Sequence, residues 1–233
     1  MGYFRELPNL QYLSPLSDRN NSSEYTPAKN IFKRVKLRND FQNSLTNFDK
    51  YQIIDGERPD HVASKIYGSQ NLDWVVLISA GITNIRDQWP LSDKDIFEFC
   101  EDVYGSDMNA IKFYETKEVK DSKGRIILAS GQAVDANFKS PRPKVDSTPL
   151  SSYVKFWDSG KETMVTETQV TQSISNYQYE VRENNKKRGI YILKPLYLQQ
   201  FLNDTRRLMK YGKSSQFVTE RIKMTDNIRI KSP

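Results

Sequence analysis

Residues 51–84 read YQIIDGERPDHVASKIYGSQNLDWVVLISAGITN, and the punctuation within this stretch predicts one strand followed by two short helices. Tyr51–Ile54 is a short strand, and Asp55-Gly56 supplies the turn after it. Pro59 suits a first helical position, where its missing N–H has no intrahelical partner to lose, and Asp60 places negative charge at the positive end of the helix dipole. Val62, Ala63, Ile66 and Tyr67 then fall on one face, and Gly68 offers the left-handed backbone that stops a helix. Leu72 through Ala80 is apolar nearly all round before Gly81, which predicts the most deeply buried helix of the protein.

On the N-terminal side, residues 1–28 carry Pro8, Pro15 and Pro27 among Ser, Asn and Asp, so they read as an extended arm that orders against another surface. Ile31, Val35 and Leu37, with Lys33, Arg34 and Lys36 between them, predict a strand, and Phe41, Leu45 and Phe48 recur at helical spacing, which predicts a short helix after Asn39. On the C-terminal side, Ser92 to Asp95 has the form of a capping box, ahead of Ile96, Phe97, Phe99, Cys100, Val103 and Tyr104 in a third helix that ends at Gly105. Alternation over residues 111–120, a turn at Asp121–Gly124 and the apolar Ile126–Leu128 predict a β-hairpin.

Pro141, Pro143 and Pro149 mark residues 141–151 as a linker between two regions, 29–140 and 152–212. Beyond it, Tyr153–Trp157 and the Asp158-Ser159-Gly160 turn predict a strand and its return, and Ile190–Leu193 predicts another strand. A polar helix or a long connection joins them. Pro195 opens a helix with Leu198, Phe201, Leu202, Thr205, Leu208 and Met209 on one stripe, and residues 213–233 form a basic, polar C-terminal arm. The expected class is therefore α+β.

Composition bounds the function. Of 233 residues only 37% are hydrophobic, below the roughly 45–50% usual for apolar residues, so the core is thin for the length. The 13 Tyr, 11 Phe and 3 Trp can offset this by completing their burial on partners. The net charge of +6 is concentrated in Lys29–Arg38 and after Thr205, which fits an arm on an acidic surface or a phosphate-binding patch. With Cys100 alone no internal disulfide can form, and neither a secretory signal nor an apolar membrane span is read from the chain.

Little in the chain points to catalysis. His61, the one histidine, has Glu57 and Asp60 nearby, but the first turn of a short helix is an ordinary place for an exposed polar residue. One His and one Cys do not supply the three or four ligands of a protein zinc site, and no Asp-rich calcium loop, phosphate loop or nucleophile motif occurs. No catalytic residue, metal or cofactor is expected. Nucleic-acid binding is a weighed alternative, because Phe4, Tyr25, Phe32, Phe41 and Tyr211 lie near the basic ends and could stack on bases.

Gly56, Pro59, Ala63, Ile66, Tyr67, Gly68, Leu72, Trp74, Val75 and Leu77 carry a resemblance to a LysM-like module, a strand and a glycine turn followed by two short helices. Arg58-Pro59 stands where extracellular LysM modules have a Gly-Asp-Thr-type turn. The same positions more closely resemble the LysM-like region of baseplate wedge proteins of contractile-tailed bacteriophages. Asn30–Arg34, Lys194-Pro195 and Asn203 to Tyr211 agree with that family in order.

The resemblance implies a structural, non-enzymatic component of the virion tail baseplate, assembled in the host cytoplasm. It implies that several copies join or stabilise neighbouring wedges around the hub, contacting other wedge proteins and the tail tube or sheath initiator proteins. The ten positions above are then structural or docking positions, with no small-molecule substrate, no nucleic acid and no membrane among the partners. A peptidoglycan-binding module of the tail is the other reading that a LysM-like segment implies.

Overall fold

A computed structural model describes residues 2–13, 25–39, 43–142, 151–166 and 169–225. Helices and strands are mixed in several small sheets, an α+β architecture. The chain divides into two compact units: Met1–Pro90 with Lys187–Pro233, and Leu91–Lys186. The second unit is thus an insertion in the sequence of the first. The division falls away from 141–151, where the sequence places a linker, and 143–150 lie outside the described residues.

The first unit is built on a two-stranded antiparallel ladder between β3 (Phe48–Gln52) and β12 (Gly189–Leu193), with Phe48 opposite Leu193 and Gln52 opposite Gly189. The strand expected at Tyr51–Ile54 thus begins three residues earlier and ends two earlier. Helices α2 (Pro59–Tyr67) and α3 (Asp73–Ala80) follow β3 in the chain. Pro59 occupies the first turn of α2, and Gly68 closes it at φ +72°, donating its N–H to Ser64 O at 3.0 Å. On β12, Ile190 and Ile192 are buried while Tyr191 faces outward, the period-two alternation of a half-buried strand.

Val62, Ala63, Trp74, Val75 and Val76 from the two helices, with Leu72 from the turn between them, meet Ile53, Ile190, Ile192 and Leu193, and Phe201 of α7 (Pro195–Met209), in one core. The Trp74 ring lies 5.7 Å from Tyr3 on α1 (Tyr3–Glu6) and 5.7 Å from Phe201. One indole therefore joins three helices. A further turn, α4 (Ile85–Gln88), is capped by Asn84, whose side chain accepts from Arg86 N.

Both chain ends depart from the expectation of extended arms. β1 (Asn9–Leu13) lies between β2 (Tyr25–Lys29), antiparallel, and β14 (Ile222–Met224), parallel, and β13 (Phe217–Thr219) completes the sheet β13-β14-β1-β2. Asn9 N donates to Arg221 O at 2.8 Å and Thr225 N to Gln11 O at 2.9 Å. In their described parts, the two ends satisfy one another's backbone groups. Residues 14–24 and 226–233 lie outside the described residues.

Residues 33–38 form no strand either. Val35 and Leu37 still reach the core, but Ile31 and Phe32 make a turn and Lys33 finds backbone acceptors elsewhere. The short helix expected after Asn39 falls partly on residues 40–42, outside the described residues, and in the part described Leu45–Asn47 forms a 3-10 turn and Phe48 already begins β3.

In the second unit, Ser92 caps α5 (Asp93–Tyr104) at the expected place, and its hydroxyl makes both bonds: Oγ accepts from Asp95 N at 3.2 Å and donates to Asp95 Oδ2 at 2.8 Å. The hairpin expected across 111–128 is broken. β4 (Ile111–Thr116) pairs with β11 (Thr171–Ser175) and β7 (Ala133–Val134), while only β5 (Val119–Lys120) pairs with β6 (Ile126–Leu128). Thr116 causes the break. Fully buried, it donates through Oγ1 to Ala129 O at 2.7 Å and accepts Gln132 N at 3.1 Å, and Lys117 N turns to Val170 O at 2.7 Å.

A third small sheet has the order β10-β9-β8, from β8 (Lys139–Ser140), β9 (Tyr153–Asp158) and β10 (Lys161–Thr166). Ser159 at φ +50° and Gly160 at φ +85° make its two-residue turn. Val119, Leu128, Val154 and Val170 form the small core between these strands. The polar connection is a helix, α6 (Asn176–Lys187), whose buried Asn184 accepts Leu91 N at 2.8 Å and donates to Leu91 O at 2.9 Å.

Candidate functional site

The ten positions singled out in the sequence all lie in the first unit, and most face its interior. Gly56 turns the chain at φ +69°, Pro59 starts α2 and Gly68 ends it. Ala63, Leu72, Trp74 and Val75 are buried, and Ile66, Tyr67 and Leu77 pack half-buried against the same core. The Tyr67 hydroxyl donates to Leu193 O at 2.8 Å, and burial pushes its pKa well above the usual phenol range. These side chains build the unit, and their large surfaces are turned away from solvent.

Glu57 is the residue that sequence reasoning underused. Its carboxylate accepts the Tyr51 hydroxyl at 2.7 and 2.9 Å and Ile54 N at 3.1 Å, while its carbonyl accepts the Trp89 indole N–H at 2.9 Å. Burial, with the Glu57 carboxylate beside it, raises the Tyr51 hydroxyl, and Lys65, donating to Tyr51 at 3.1 Å, opposes that shift. The cluster locks the Gly56 turn onto β3 and α2. Its only signal in the sequence is an acid directly after a glycine turn.

His61 is exposed in the first turn of α2. Among the described residues, no group of three or more His, Cys, Asp or Glu side chains is placed to hold a metal ion. No described helix is long and apolar enough to cross a membrane. Cys100 is buried on α5, and burial lifts its thiol pKa.

The basic stretches meet groups of the chain itself. Lys29 Nζ donates to Leu7 O at 3.0 Å, and Lys33 Nζ donates to Leu208 O at 3.1 Å and Lys210 O at 2.7 Å, capping the C-terminal end of α7. Arg38 pairs with Asp204 at 3.5 Å and Lys210 with Glu220 at 2.6 Å. Glu6, buried to 3% exposure, sits between Arg206 at 3.3 Å and Arg221 at 3.7 Å. Much of the positive charge that suggested a phosphate partner thus holds the two ends of the chain together.

Each unit leaves several large apolar side chains open to solvent. In the first, Phe4, Ile31, Phe32, Leu45 and Leu196 are exposed, Leu196 to 81%. In the second, Phe99 and Val103 on α5, Ile126 on β6 and Trp157 on β9 are exposed, Trp157 to 71%. Trp157 pairs across the hairpin with Glu162, and Met164, opposite Lys155 on that face, is half exposed. Single exposed apolar side chains are ordinary, but several large ones on each unit are the raw material of interfaces.

The family model described as Base plate wedge protein 53 matches residues 4–128, more than half of the chain. The chain belongs to this family. No individual curated protein matches it. As a baseplate wedge protein it is a structural component of a phage tail and works among other baseplate proteins in a multi-subunit assembly. The match runs from α1 through the core helices of the first unit and on to β6 of the second, so both units contribute to what defines the family.

Proposed function

We propose that this wedge protein joins or stabilises neighbouring wedges around the tail hub by contacts alone, without turning over a substrate. The observation that carries this reading is the set of large apolar side chains left in solvent on both units, with Phe32, Leu196, Leu45 and Trp157 the most exposed. Burying such side chains contributes about 1.5–3 kcal/mol each, so a few of them sustain a stable subunit contact. The LysM-like strand–helix–helix segment then serves as a rigid docking piece. Its aromatic and apolar residues face the core, which disfavours the sugar-receptor reading.

Co-expression with the other wedge proteins of the same phage, followed by mass measurement of the purified complexes, tests this. The expected result is a defined complex that contains several copies of this chain per assembled baseplate. A chain that emerges as a free monomer from every combination overturns the proposal. Retention on purified peptidoglycan would favour the sugar-binding alternative instead.

A further inference from the structure

The turn at Asn30–Lys33 is braced from below and apolar at its tip. Asn30, nearly buried, donates through Nδ2 to the Tyr211 hydroxyl at 2.8 Å and accepts Phe32 N on its Oδ1 at 3.1 Å. Its own N–H donates to Pro8 O at 2.9 Å, and Ile31 N donates to Lys29 O at 3.0 Å. Lys33, whose Nζ stands 4.7 Å over the Tyr211 ring as well as on the last carbonyls of α7, pins the other side. On this base Ile31 is 64% and Phe32 86% exposed. The chain therefore holds two consecutive large apolar side chains in water on a backbone with little freedom left to lose.

A preordered aromatic tip loses less entropy on binding than a mobile one, which is the property of an anchor side chain. The surroundings restrict the partner. No acid occurs between Lys29 and Arg38, and Arg34 and Lys36 stay exposed beside the tip. A basic collar around an apolar tip complements an apolar pocket rimmed by carboxylates, and it repels a basic surface. We infer that the Ile31–Phe32 turn is an anchor that inserts into an apolar, carboxylate-rimmed pocket on another subunit of the wedge. The inference rests on the proposed joining role and names the surface through which it acts.

The test uses the full-length chain and, as probe, the wedge complex assembled from the phage's other wedge proteins without it. Phe32→Ala should weaken binding by about thirtyfold, as for an interface anchor, while leaving the thermal midpoint of the free chain unchanged. Arg34→Glu with Lys36→Glu should slow association and reduce its sensitivity to salt. Gln200→Ala, at an exposed polar site on α7 of the same unit, is the control. Wild-type chain that binds while Phe32→Ala binds equally well overturns this inference and leaves the joining role standing. Wild-type chain that does not bind overturns both. Self-association of the free chain that Phe32→Ala abolishes makes a second copy the occupant and overturns the choice of partner.

Discussion

Trp74 and Glu115 show how single side chains hold each unit. Trp74 is buried between Tyr3 and Phe201, so Trp74→Ala leaves a cavity and should cost about 3–5 kcal/mol, read from chemical denaturation. Glu115 in the second unit accepts Arg182 Nη1 at 2.7 Å and a hydrogen bond from Gln172. The Arg182 contact lowers its carboxyl pKa, with burial opposing and Gln172 assisting. Because the folded value lies below the unfolded one, the stability it contributes is present above the unfolded pKa of about 4.3 and is lost as pH falls through the folded value. Glu115→Gln should therefore cost about 1–2 kcal/mol at neutral pH, and its thermal midpoint should converge on the wild type in acid.

At the scale of elements, helix ends and strand ends decide the pattern. Gly68 ends α2 at φ +72°, so Gly68→Ala should destabilise by about 1 kcal/mol through backbone strain rather than lost contacts. Lys33 caps α7 from a distant part of the chain, and Lys33→Met should speed hydrogen exchange in the last turn of that helix, at a cost of about 1 kcal/mol.

The helices that carry their own stop signals, Pro59 to Gly68, Ser92 to Gly105 and the one opened by Pro195, were legible in the sequence because their causes are local. The break after Thr116 was not. It depends on carbonyls at Ala129 and Val170 that no periodicity over 111–120 reveals. The same holds for Lys33 and Val35, which alternate like a strand but are used by α7 and the core one at a time.

At the scale of the whole molecule, prolines and basic residues near the two ends read as solvated arms, yet β1 and β14 are partners. Two unpaired edges far apart in sequence leave no mutual signature in composition. Deleting residues 213–233 should therefore unprotect Asn9–Leu13, and limited proteolysis of the shortened chain should cut there, where the full chain resists. The burial of residues between Ile53 and Val76 was legible for the opposite reason, since that one contiguous stretch supplies much of the core of the first unit. What the outer surface of that stretch meets leaves no such trace, because a buried side chain says nothing about it.

The ladder between β3 and β12 also sets an order of events at the ribosome. Phe48–Gln52 emerges early and waits for Gly189–Leu193, while residues 91–186 are translated in between. A nascent Leu91–Lys186 segment that collapses as it appears shortens the tether that must close, and lets the earlier half mature last.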